Sequence, residues 1–132
     1  MATELLDALK RAGEEAGGEK GIQEILNEFY SRMAKDPMVG FFFHGKDLPH
    51  IVEQQKHFLM RAMGLSSNYS GKSPGSAHQK LPPILKGHFD RRLVLLKETL
   101  KQFHLTPASI SAWVNFEETF RKAIVEEEGP RR

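Results

Sequence analysis

Two consecutive prolines, Pro82 and Pro83, set the tightest limit on how this chain folds. Neither ring can continue a helix, and the residue before a proline is pushed out of helical geometry. The stretch from Ser76 to Leu81 therefore has room for little more than one turn, and His78 stands on that short platform. Ahead of it, after Gly64, the run LSSNYSGKSPGS is rich in Ser, Gly and Pro and reads as a loop. It is long for a compact domain, which marks it as functional or mobile. Behind the prolines, Phe89, Leu93, Leu96, Leu100 and Phe103 follow at steps of three and four and predict a long core helix.

The same punctuation divides the rest of the chain. Leu5, Leu6, Ala8, Leu9 and Ala12 give a first, weakly amphipathic helix that ends at Gly17-Gly18. From Lys20 to Lys35 the stripe is stronger, with Ile22, Ile25, Leu26, Phe29 and Met33 on one face and Tyr30 sharing it. Asp36-Pro37 stops that helix and starts the next, Asp as a cap and Pro at a first position. PMVGFFF is then a short apolar helix or turn closing on Phe41, Phe42 and Phe43. In HGKDLP, Asp47 caps a helix with Pro49 in its first turn. Its stripe is Leu48, Ile51, Val52, Phe58, Leu59, Ala62 and Met63, with Gln55 in the middle. Thr106-Pro107 opens the last helix, carrying Ile110, Trp113, Val114, Phe120 and Ile124 before a charged tail. With no strand pattern and no internal repeat, the chain reads as all-α.

At 132 residues it is one domain with room for a real core. Nineteen basic against seventeen acidic side chains, in no long block of one sign, point away from a nucleic-acid partner. The lack of cysteine removes disulfides, thiolate nucleophiles and zinc knuckles together, so metal chemistry has to rest on histidine, carboxylates or a cofactor. The amino terminus has no uninterrupted apolar core, and no window reaches the length of a membrane span, which predicts a cytoplasmic protein with no membrane partner.

Several residues break this orderly pattern. Tyr30 and Gln55 lie in apolar stripes, where an unpartnered polar group costs about 1–3 kcal/mol, and they can meet if their helices cross. Three successive phenylalanines cannot all face one core unless something large lies beside them. Taken singly, each feature has a plainer reading: a buried polar pair, one exposed ring, a loop histidine. A flat apolar cofactor accounts for them together, with the rings packed on it, His78 binding its iron from one side and the two polar groups holding a ligand on the other.

The runs GGEKGIQEILNEFYSRMAKDPMVGFFF, QQKHFL, YSG, AHQKLP and HFDRRL, in this order and spacing over about residues 17 to 104, resemble the truncated haemoglobins, most nearly their group I. The resemblance implies a shortened globin fold, two helices over two around haem b. Residues 1–18 then form an N-terminal helix, 19–127 the globin core and 128–132 a tail of one domain. It puts the proximal, iron-binding histidine at His78, the haem-packing phenylalanine at Phe43, the distal tyrosine at Tyr30 and the distal glutamine at Gln55. Ile51 takes the gate position, and Phe58 and Phe89 line the haem, with Phe42, Leu81 and His88 added along its edge. Gln54 is a second distal candidate, but neighbours on a helix point about 100° apart and the Ile51/Phe58 stripe favours Gln55. Lys72, Lys80, Arg91 and Arg92 are candidates for the haem propionates. His44, His50, His57 and His104 read as surface or propionate-edge groups. Where the family has a second glycine pair, this chain has Gly64-Leu65, in front of the loop that holds Tyr69.

The implied function is reversible binding of dioxygen or another diatomic gas at a five-coordinate iron, for storage, delivery or sensing, by a monomer or weak dimer. The alternative is enzymatic, a nitric oxide dioxygenase or a peroxidase-like activity. Without a flavin or nicotinamide domain, that turnover needs an external reductase. A third reading leaves out the cofactor and makes the Phe-rich face a docking surface for a partner helix.

Overall fold

The structure is a computed structural model that describes residues 2–65 and 83–126. Among these residues the chain is all-α. Its elements are α1 (Ala2–Ala16), α2 (Gly18–Lys35), a 3-10 turn (Gly40–Phe43), α3 (Leu48–Ala62), α4 (Lys86–Gln102), α5 (Pro107–Glu118) and the single turn α6 (Arg121–Ile124). None of these helices is long and apolar enough to cross a membrane. The platform that carries His78, with Tyr69, Lys72, Lys80 and Leu81, lies outside the described residues.

The predicted stops act through identifiable groups. Gly17 and Gly18 take φ of 106° and 68°, left-handed values that glycine adopts without a Cβ penalty, so α1 turns into α2 with no intervening loop. A Cβ on Gly21 would sit 1.7 Å from the Ala16 carbonyl oxygen, so the first turn of α2 lies directly on the end of α1. Asp36 ends α2, and its Oδ2 accepts from the backbone N–H of Met38 at 2.9 Å and of Val39 at 3.2 Å, so it holds a turn over 37–39 rather than capping a helix directly; the 3-10 turn begins only at Gly40. Asp47 accepts from the His50 N–H at 3.2 Å and Thr106 from the Ser109 N–H at 3.3 Å, each with a proline in the first turn behind it.

The stripes turn inward as their periodicity requires. Ile22, Ile25, Leu26, Phe29 and Met33 of α2 pack with Val52 and Leu59 of α3, Phe89, Leu96 and Leu100 of α4, and Trp113 of α5. α1 inserts Leu9 and Ala12, both fully buried, and lies mainly along α5. There Glu15 accepts from the Thr106 hydroxyl at 3.1 Å and from its backbone N–H. Leu6, on the same first helix, is half exposed, so the stripe of α1 is narrower than its apolar residues suggest. Lys56 is the buried charge of α3, bridging Glu19 at 3.0 Å and Glu53 at 3.2 Å and tying α3 to α2.

Candidate functional site

Between α2, the 3-10 turn, α3, α4 and the last two helices lies a cavity of about 360 Å³. This is within the range of about 300–1,000 Å³ typical of sites for small molecules and cofactors. Tyr30 and Met33 reach it from α2, Phe42 and Phe43 from the turn, and Ile51, Gln54, Gln55 and Phe58 from α3. Phe89, His88 and Arg92 reach it from α4, and Glu117, Phe120 and Ile124 close it from the C-terminal helices. Most of the wall is aromatic or aliphatic, so the few polar groups in it set its chemistry.

Of the three consecutive phenylalanines, Phe42 and Phe43 line the cavity, whereas Phe41 is 48% exposed. The rings of Phe41 and Phe42 lie 4.1 Å apart, and His88 stands edge-on to both, at 5.6 and 5.1 Å. His88 is the histidine that lines the cavity among the described residues. Its Nδ1 accepts from the Leu85 N–H at 3.0 Å, which leaves the proton of the neutral ring on Nε2. His57 instead turns outward to Glu53 at 2.8 Å, and His44, His50 and His104 are exposed.

Tyr30 is buried, its ring edge-on to Phe43 at 5.8 Å and to Phe29 at 5.3 Å. Burial pushes its phenol above the ordinary range; Arg92 opposes that and Glu117 adds to it, so the group stays protonated and able to donate. The sequence allows Tyr30 to meet Gln55 if their helices cross, and both line the cavity, together with Arg92 and Glu117. Arg92 on α4 lines the same cavity as Tyr30 and acts electrostatically on its phenol, and Arg92 is in turn ion-paired with Glu117 on α5. No hydrogen bond joins Tyr30 to Gln55 among the described residues. Gln55 is half-buried on the facing wall, and Gln54 beside it is exposed, the order that the α3 stripe predicts.

Arg92 and Glu117 are the polar wall residues that sequence reasoning missed in this role. Both side chains are mostly covered, with 21% and 11% of their area exposed, and the guanidinium also lies 5.1 Å from the centre of the Phe29 ring. Burial alone would pull the guanidinium down, but the Glu117 carboxylate more than offsets it and holds Arg92 charged. The signal was present in the spacing. Arg92 stands three residues after Phe89 and four before Leu96, and Glu117 four after Trp113, each a charge in the middle of an apolar stripe.

A model of the bacterial-like globin family matches residues 12–126. The chain belongs to that family. This globin is 31% identical over 96 residues to a group 1 truncated haemoglobin of Chlamydomonas moewusii, covering 72% of this chain and 56% of that relative, so it spans little more than half the relative's length. Among solved structures, the truncated haemoglobin of Tetrahymena pyriformis in its Fe(III) form superposes with a TM-score of 0.79 at 31% identity, covering 86% of this chain and 97% of that one. The 2/2 haemoglobin of Synechococcus sp. PCC 7002, solved in the cyanomet state with covalently attached haem, has a TM-score of 0.77 and the same coverages. At 24% identity it supports the fold alone. The all-α architecture is that of the truncated globins, as the sequence resemblance implied.

Haem b is the cofactor of this family, and its members bind diatomic gases. The wall of this globin suits a flat apolar ring: Phe42, Phe43, Phe58, Phe89 and Phe120 offer faces and edges, and Ile51 and Ile124 fill between them. Lys46 is the lysine on that wall, a cation of the kind haem propionates need. The two arginines proposed for that task are engaged elsewhere, Arg91 by Asp36 at 2.8 Å and Arg92 by Glu117.

Proposed function

We propose that this globin binds dioxygen reversibly, with His78 as the proximal ligand and with Tyr30 and Gln55 as the polar groups that hold the gas. Haem, when bound, supplies an iron with one coordination position open to a diatomic ligand. What the chain adds is an apolar enclosure that excludes water and two donors of unequal depth. Tyr30, buried and protonated, donates its O–H to a ligand in the cavity. Gln55, on the opposite wall, orients the ligand or donates a second bond through its amide. Ile51, one turn before Gln55, guards the entrance, and an aliphatic side chain there offers no competing donor. Phe43 and Tyr30, ring to ring, keep the phenol from swinging away.

The observation that carries this reading is the buried phenol in a mainly aromatic and aliphatic cavity wall, a donor positioned beside the space a ligand would fill. A donor of this kind favours retention of a ligand that gathers negative charge, as dioxygen does and carbon monoxide does much less. The His78 assignment rests on the sequence match at AHQKLP. His78→Ala is expected to lose or badly weaken haem binding, read from the Soret band after hemin titration; normal retention with an unchanged ferrous spectrum contradicts it. Oxygen titration of the ferrous protein, followed by removal of the gas, separates the binding role from the enzymatic one. Return of the starting spectrum over repeated cycles is the expected result. Rapid consumption of nitric oxide with an added reductase, sustained over many turnovers, would favour the dioxygenase.

A further inference from the structure

Tyr30, Arg92 and Glu117 come from three different helices and line the same cavity, with Arg92 between Glu117 and the Phe29 ring that adjoins Tyr30. A phenol has one hydrogen and an oxygen that accepts, so in a pocket it either donates to the protein or donates to the ligand, and its nearest neighbour decides which. A carboxylate beside it would take the hydrogen. A guanidinium carries five N–H donors and no acceptor, so it can only engage the oxygen. Here Glu117 spends its contact on Arg92, whose guanidinium is also stacked on Phe29, the ring adjoining Tyr30.

We propose that Arg92, anchored by Glu117, is a positioning residue that occupies the Tyr30 oxygen and so turns the phenol's single hydrogen toward the cavity. This rests on Tyr30 being the distal donor. A donor whose oxygen already accepts from a cation is polarised, and its own hydrogen bond becomes stronger. Glu117 has two tasks in this arrangement. It fixes the guanidinium in place, and by neutralising it keeps the pocket from becoming a general anion trap. Gln55, across the cavity and outside this chain of contacts, is independent of it.

The test is a double-mutant cycle in the haem-loaded protein, read by the oxygen dissociation rate and by the infrared stretch of bound carbon monoxide. The stretch falls when a hydrogen-bond donor faces the ligand. Arg92 and Glu117 are removed together, as Arg92→Met with Glu117→Leu, because replacing a buried pair by apolar residues of similar size is tolerated where stranding one partner is not. The pair replacement is expected to speed oxygen release about threefold to tenfold and to raise the stretching frequency. In a Tyr30→Phe background the same replacement should change neither by more than about twofold. Arg92→Lys, which keeps charge and donors, should recover part of both signals. If the pair replacement leaves both readings unchanged while Tyr30→Phe alters them, Arg92 does not position the phenol. If its effect persists in full without the phenol, Arg92 acts on the ligand directly and the inference is overturned. If Tyr30→Phe alone alters neither reading, the distal reading itself fails and takes this inference with it.

Discussion

Arg91 and Arg92 are neighbours on α4, one helical step apart, and they do opposite things. Arg91 faces the corner where α2 ends. Its Nε and Nη2 both donate to Asp36 Oδ1, at 3.0 and 2.8 Å, while Asp36 Oδ2 holds the segment leading into the 3-10 turn. Arg92 points the other way, into the cavity wall, where it is ion-paired with Glu117 and lies over the Phe29 ring that adjoins Tyr30. The chemistry is the same, a guanidinium on a carboxylate, but the surroundings differ. At the corner the pair meets backbone amides and fixes the path of the chain toward Phe42 and Phe43. On the wall it meets an aromatic face beside a buried phenol, and so bears on whatever occupies the cavity. A rotation of about 100° around one helix separates a folding contact from a binding one.

The inner pair should be the more costly to break. Glu117→Leu strands Arg92 in the wall and is expected to destabilise the protein by about 3–5 kcal/mol in denaturant unfolding, whereas adding Arg92→Met should restore most of that loss. If the single change costs no more than a surface substitution, the inner pair is solvated and the contrast disappears. The outer pair should instead show itself in acid. Hydrogen bonding from Arg91, opposed by partial burial and helped by the Met38 and Val39 amides, holds the Asp36 carboxyl below its ordinary value of 3.8. A carboxylate depressed on folding contributes stability that is fully present above that ordinary value and is lost as pH falls through the folded one. Asp36→Asn should therefore lower stability at neutral pH and flatten the unfolding limb below about pH 4. An unchanged acid limb would mean that the corner is held by packing alone. The smallest effects belong to the facing wall. Gln55→Leu should speed oxygen release about twofold to fivefold, in keeping with one ordinary hydrogen bond, and Gln54→Leu by less than about twofold. Equal effects from the two would place the ligand nearer the mouth of the cavity than its depth suggests.

The fold was largely legible because its boundaries are chemical. Asp47 with Pro49 and Thr106-Pro107 each name a cap and a first-turn proline, and both cap bonds are found, while Asp36-Pro37 ends α2 in a turn held by the Asp36 carboxylate. The aromatic and aliphatic lining was legible too, since Ile51, Phe58 and Phe89 fall on inward stripes and line the cavity. Partner choice was not legible. Tyr30 lies in an apolar stripe and must find a hydrogen bond, but periodicity gives a direction without saying which helix stands opposite. Gln55 was the polar residue with a matching anomaly, whereas the structure also brings Arg92, read from sequence as a propionate candidate, and Glu117 to the cavity that Tyr30 lines. Exposed charges are so common that a charge in a stripe is easily set aside. Two of opposite sign, one on each of the last two long helices, are the pattern to seek, because a buried charge almost always has a counter-charge.

The central claim is that a buried phenol donates to the ligand, and its most direct measurement is the oxygen dissociation rate of the ferrous protein with and without that one hydroxyl. A bond to a partly charged acceptor is worth about 1.5–3 kcal/mol, so Tyr30→Phe should release oxygen about tenfold to a hundredfold faster, with haem binding and helix content unchanged. A rate within twofold of the unsubstituted protein would contradict the claim.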